Sequence, residues 1–196
     1  MKFKENILDN KDCLLSSLNS RIGALKSLGK VASFKTRKLT ADGIFMSKLT
    51  YLIELWGGCA EYLLDSLQKT QNRAARAVTR LDWFTPSREL LNQCGWLSVR
   101  QLVVYHSVML VFKIIKAESP RNIHSMFSIK YNYPTKLAKT GMIRHTKDLR
   151  LDLSERSFRW RASKAFNALP EETRNVSTLT EFKKEAKAWI KQNVHN

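Results

Sequence analysis

The sequence predicts an all-α fold, and three observations predict it. Seven glycines and four prolines in 196 residues leave long stretches free of breakers. Apolar residues recur three or four apart over most of the chain, the period of one helix face. Two capping boxes, Ser98-Val99-Arg100-Gln101 and Thr178-Leu179-Thr180-Glu181, mark helix starts. A hydrophobic content of 43% is enough for one sizeable core, or for a domain with an appendage.

Leu14, Leu18, Ile22, Leu25 and Leu28 set the first helix, and Gly29 stops it. A second helix is expected from about Lys35 to Trp56, with Leu39, Met46, Leu49, Ile53 and Trp56 facing inward and Gly57-Gly58 after it. Gly43 lies inside it at some cost in propensity. The third helix, about 60–81, has an apolar line of Leu63, Leu67, Ala74, Val78 and Leu81, with Thr70 or Gln71 filling the gap. TPSRELLNQCG reads as a short helix capped by Thr85, with Pro86 in its first position and Gly95 closing it. The helix opened by Ser98 runs to about Ala117, with Leu97 and Leu102 placed for a hydrophobic staple. It is apolar almost all round, which predicts a buried central helix, and Ser119-Pro120 ends it.

Residues 128–153 lose this period, and Pro134, Gly141 and many cations predict a basic irregular linker with a short strand pair. Helix returns at SERSFRWRASKAFNAL, with Ser154 as cap and Pro170 as stop. The last helix turns Leu179, Phe182, Ala186 and Ile190 inward. The expected organisation is therefore a helical bundle over 1–127, the linker over 128–153, and a C-terminal helix pair over 154–196.

Lys and Arg number 34 against 17 acids, a formal net charge of +17. An excess of this size points to a polyanion, with nucleic acid ahead of an anionic membrane surface. Three cysteines at long spacing, Cys13, Cys59 and Cys94, give neither a disulfide framework nor zinc spacing, as suits a reducing compartment. The run LVVYHSVMLVFKII is too short to span a bilayer, and the N-terminal residues carry no apolar signal core. A soluble intracellular chain, cytoplasmic or nuclear, is expected, with no membrane partner.

Two-metal chemistry requires clustered carboxylates. The adjacent pair Glu171-Glu172 falls beside a proline in an expected loop, and Asp148 and Asp152 fall in the linker. His106, His124, His145 and His195 show no ligand spacing, and His106 reads as a core or edge residue of its helix. No phosphate loop and no nucleophile elbow occurs in the sequence. No catalytic residue, metal ligand or cofactor is therefore assigned.

The basic residues form two clusters. Lys69, Arg73, Arg76 and Arg80 recur at steps of four, three and four, on a stripe distinct from the apolar line of their helix. They span about 16 Å at 1.5 Å per residue, and arginine's planar fork suits phosphate oxygens. Gln68, Gln71 and Asn72 alongside add amides that also contact phosphates and base edges. The second cluster is Arg156, Arg159, Arg161 and Lys164 with Phe158 and Trp160, cations interleaved with rings as on single-strand and RNA surfaces. Phe158 aligns with Ala162, Phe166 and Leu169 and reads as core, while Trp160 is open between packing and stacking. Either cluster also fits a plain solvated face, and a helical protein-interaction module is the rival function.

The ordered segments SRIGALKSLGKVASFKTRKLTADGIFMSKLTYLIELWGG, LQKTQNRAARAVTR, TPSRELLNQCGWLSVRQLVVYHSVMLVFKI and LSERSFRWRASKAFNALPEETRNVSTLTEFKK carry a resemblance. Over about Leu18 to Val194 the chain resembles the C-terminal region of reverse transcriptases from non-LTR, LINE-type retrotransposons of the jockey-like group. The resemblance implies a thumb-like, post-palm region that grips RNA and DNA beside the upstream polymerase region of the same element. The family's palm aspartates have no counterpart here, so the resemblance carries over no catalytic residue, and the chain alone is expected to be inactive as an RNA-directed DNA polymerase.

Overall fold

The computed structural model describes residues 14–29, 31–116, 143 and 156–194, and among them every regular element is helical. These are α1 (Leu14–Leu28), α2 (Phe34–Ala41), a π-helical turn (Asp42–Met46), α3 (Ser47–Thr50), α4 (Ile53–Trp56), α5 (Glu61–Thr79), α6 (Ser87–Cys94), α7 (Val99–Ile115), α8 (Phe158–Asn167), α9 (Glu171–Arg174) and α10 (Leu179–Asn193). The all-α class is as the sequence predicts. The chain divides into two compact units, Met1–Leu102 and Val103–Asn196, so the division falls inside α7. The expected basic linker, apart from Ile143, lies outside the described residues, as do its strand pair, Ser119-Pro120 and Ser154.

In the first unit α5 packs against α1 and α6. Leu18, Ile22 and Leu25 of α1, Leu63, Leu67, Ala74 and Val78 of α5, and Leu90 and Cys94 of α6 are all buried. Both Thr70 and Gln71 fill the gap in the α5 line. Burial pushes the Cys94 thiol up to about 11, with Lys38 lowering it and Asp42 raising it by smaller amounts.

The expected single helix over 35–56 is instead broken. Its buried positions are Arg37, Ala41, Phe45, Leu49, Ile53 and Trp56, whereas Leu39 is 72% exposed. Steps of four drift by about 40° per step on a straight α-helix. The π turn absorbs an extra residue and keeps Ala41, Phe45 and Leu49 on the inner face. Trp96 holds this turn in place, donating Nε1–H to Asp42 Oδ1 at 2.7 Å and stacking on Phe45 at 6.3 Å. Leu52, left-handed at φ 52, then ends the run before α4.

Arg37 is buried, and among the described residues it forms no ion pair. Its Nε donates to Val78 O at 2.7 Å and its Nη1 to Ala32 O at 2.6 Å. Val78 is in the last turn of α5, where carbonyls lack helical partners and the helix dipole is negative. Arg37 thus ties the start of α2 to the end of α5.

Pro86, rather than Thr85, precedes the first residue of α6, and no side chain caps it. Gly95 closes α6 at φ 67, a conformation that glycine adopts at little cost. The Ser98 box forms as expected: Ser98 N donates to Gln101 Oε1 at 3.1 Å, and Gln101 N donates to Ser98 Oγ at 3.3 Å. Leu97 and Leu102 are both buried.

In the second unit Phe112, Phe166 and Phe182 form the centre of a core with Val108, Ile114, Ala162, Ala186 and Ile190. Phe112 and Phe182 stack at 4.0 Å. Ser157, not Ser154, caps α8, its Oγ accepting from Trp160 N at 3.4 Å. Glu171 and Glu172 open the short helix α9 where a loop was expected. Thr178 caps α10 through Glu181 N at 3.4 Å. Asn167 donates to Ile143 O and accepts from Ile143 N, both at 2.9 Å, and Arg174 Nη1 donates to Asn167 O at 2.8 Å. These three bonds brace the turn after α8.

Candidate nucleic-acid interface

The stripe on α5 is divided by its neighbours. Lys69, Arg73 and Arg80 are exposed and Arg76 is half-buried. Arg73 Nη1 donates to Asn19 Oδ1 of α1 at 3.1 Å. Arg76 is held by the turn after the helix: its Nη2 donates to Trp83 O at 3.3 Å and Thr85 O at 3.4 Å, and its guanidinium lies 4.9 Å from the Trp83 ring centre. Arg76 Nε is buried without a partner among the described residues. The sequence leaves all four cations wet, whereas Arg76 is largely engaged by the fold. Arg80 ends the helix in the left-handed region, φ 61 and ψ 24, with its backbone N–H bonded to Arg76 O.

A recess of about 400 Å³ opens where α1 and α5 converge, lined by Lys26, Gly29, Arg73, Arg76, Ala77, Arg80, Leu81 and Trp83. The fold thus brings Lys26 to three members of the stripe and leaves Lys69 outside the recess. Lys26 and Trp83 were not singled out from sequence. Their signals are weak: a lysine in the last turn before Gly29, and an aromatic pair, Trp83-Phe84, outside any apolar period. A second recess of the same unit, about 510 Å³, is lined by Arg21, Gly43, Ile44, Ser47, Lys48 and Tyr51.

Two of the flanking amides, Gln68 and Gln71, face inward. Gln71 is fully buried and donates to Leu97 O at 2.8 Å, while Gln68 Oε1 accepts from Val99 N at 2.8 Å. Gln68 also donates to Asn72 Oδ1 at 2.8 Å. Gln68 therefore satisfies an orphan N–H at the start of α7 and Gln71 the Leu97 carbonyl just before it, which turns both amides away from phosphate or base contacts. Arg100 joins the same corner, bonding Glu61 at 2.7 Å and Asp65 at 2.8 Å, and these carboxylates raise its pKa.

In the second cluster Arg156 and Lys164 are exposed, and Arg159, Trp160 and Arg161 are half-buried. Arg161 Nε donates to Arg156 O at 3.0 Å. Lys164 Nζ lies 4.7 Å from the Trp160 ring centre. Arg159 Nε is buried without a partner among the described residues. Phe158 packs against the core, as its spacing predicts.

His106 is half-buried on α7, edge-on to Tyr105 at 5.6 Å. Among the described residues no three His, Cys, Asp or Glu side chains gather in a group that could hold a metal. Among them, too, no single helix is long and apolar enough to cross a membrane. Comparison with protein-family models, with curated proteins and with solved structures gives no match.

Proposed function

We propose that the chain binds the phosphate backbone of nucleic acid, as the non-catalytic C-terminal part of a non-LTR retrotransposon RNA-directed DNA polymerase. One observation carries the binding: Lys26, Arg73, Arg76 and Arg80 converge on one recess from two helices. Cations that converge on a concavity focus potential better than cations strung along a convex face. The net charge of +17 supplies long-range attraction. Arg156, just before α8, and Lys164 on it offer a second contact. The place in a reverse transcriptase rests on the sequence resemblance alone.

A salt titration tests the binding. Lys26, Arg73 and Arg80 are changed together to Gln, and Arg76 is kept because the turn depends on it. Wild type binds without sequence preference at a Kd on the order of 10⁻⁴ to 10⁻⁶ M at physiological salt. The triple variant loses about 2 to 3 units of slope in log K against log salt, for three contacts given up. Equal affinities and equal slopes in two folded proteins refute the proposal.

A protein-interaction role has its own observation. Tyr51, Leu52, Leu55 and Tyr62, close in sequence on and around α4, are all about half exposed or more. Failure of the salt test makes these residues the better lead.

A further inference from the structure

Trp83 lines the basic recess at 74% exposure, and Phe84 follows it at 92%. Either alone is unremarkable, since single apolar side chains are common on surfaces. What distinguishes them is how they are held. Thr85 N donates to Asp82 O at 3.1 Å, closing a four-residue turn with the two aromatics at its central positions. Arg76 clamps the turn through the carbonyls of Trp83 and Thr85. The same guanidinium lies over the Trp83 ring, while most of that ring and nearly all of Phe84 remain open to solvent. The turn's backbone is thus fixed, with the Trp83 ring beside cations that suit phosphates and the open Phe84 ring on the adjacent residue, so little backbone ordering is left to be done on binding.

We infer that the Trp83-Phe84 turn is a stacking platform for unpaired bases, so that the recess takes single-stranded nucleic acid in preference to duplex. This rests on the phosphate-binding reading above and adds the form of the ligand. In a duplex the base faces are covered by neighbouring pairs, and only the backbone is on offer. In a single strand each base has a face to stack, whatever its identity, and its phosphates still reach the cations. The rings and cations together serve the second ligand fully and the first only in part.

Phe84→Ala is the clean variant, because the Phe84 side chain is almost wholly exposed. Five probes are titrated: oligothymidylate and oligouridylate of about 12 nucleotides, within the usual span of single-strand sites, the oligothymidylate's abasic counterpart, and DNA and RNA duplexes of matching length. Phe84→Ala weakens both single strands by about 5-fold to about 150-fold, the range for loss of one stacked base. It leaves duplex affinity and the salt slope unchanged, because no charge is removed. Wild type binds the abasic chain at least as weakly as Phe84→Ala binds oligothymidylate, since the abasic chain loses stacking on Trp83 as well, a check that needs no variant to fold. Loss of oligouridylate binding alone, or oligothymidylate alone, assigns the platform to RNA or DNA and upholds it. If Phe84→Ala and the abasic chain match their references while the triple cation variant still loses slope, stacking is overturned and the phosphate reading survives. Duplex bound as tightly as single strand overturns the preference, and no binding to any probe overturns both.

Discussion

On α5 and its cap the cations at 69, 73, 76 and 80 share their helix with alanines and amides, while on and just before α8 those at 156, 159, 161 and 164 alternate with Phe158 and Trp160. Sequence offers both as nucleic-acid surfaces, the first by its regular cation spacing and the second by rings and cations interleaved. The fold sets them apart. On α8 Phe158 packs inward, Arg161 bonds the Arg156 carbonyl and Lys164 covers Trp160. On α5 the cations gain Lys26 from another helix and an exposed tryptophan from the following turn. Whether a basic cluster forms a concavity depends on which distant segment packs beside it, and one helix's sequence does not contain that information.

The comparison breaks most visibly if the frame under the second cluster is removed. Asn167→Ala strips both bonds from the Ile143 backbone and should destabilise the chain by about 2–5 kcal/mol, since two polar groups lose their partner. Urea unfolding followed by circular dichroism measures this. A shift below about 0.5 kcal/mol, the size of an ordinary surface change, would show that α8 does not depend on that brace.

Within the first cluster the structure separates a holding arginine from wet cations. Arg76→Gln should cost about 1–3 kcal/mol, through two carbonyl bonds and the Trp83 contact. Lys69→Gln and Arg80→Gln should each stay within about 0.5 kcal/mol. Thermal melts of the three proteins side by side decide it, and equal shifts would erase the distinction.

The smallest effect concerns Trp160. A double-mutant cycle on Trp160→Ala and Lys164→Gln should give a coupling of about 0.5–1 kcal/mol, the range of an exposed cation–π pair. Zero coupling would free both side chains for an outside ligand and bring the second cluster nearer to the first.

Much of the fold was legible because it is written locally. The leucine spacing of α1, the Ser98 and Thr178 boxes and the inward face Phe182, Ala186, Ile190 each need only neighbouring residues. The π turn over Asp42–Met46 was not legible, because its hydrogen bond to Trp96 joins positions 54 apart in sequence. The inward bonds of Gln68 and Gln71 are not legible for the same reason: an amide on a helix looks alike whether it meets solvent or the next helix's start. Ser154 and Ser157 both make plausible caps, and only the path of the backbone selects between them. Of the candidate interface, the arginines were legible from type and spacing, but Lys26 and Trp83 come from segments that only the packing of α1 and the turn at 82–85 bring near.

Arg80 closes α5 in a left-handed conformation where glycine or asparagine is usual, a strain of about 1–2 kcal/mol for a residue with a Cβ. No side-chain hydrogen bond or ion pair among the described residues offsets it. One position therefore sets thermal robustness against surface charge: a change to glycine firms the helix end and discharges the recess in the same step. Selection for heat tolerance alone, in nature or in the laboratory, would be drawn to this corner early, and the resulting protein would be sturdier and less attractive to polyanions.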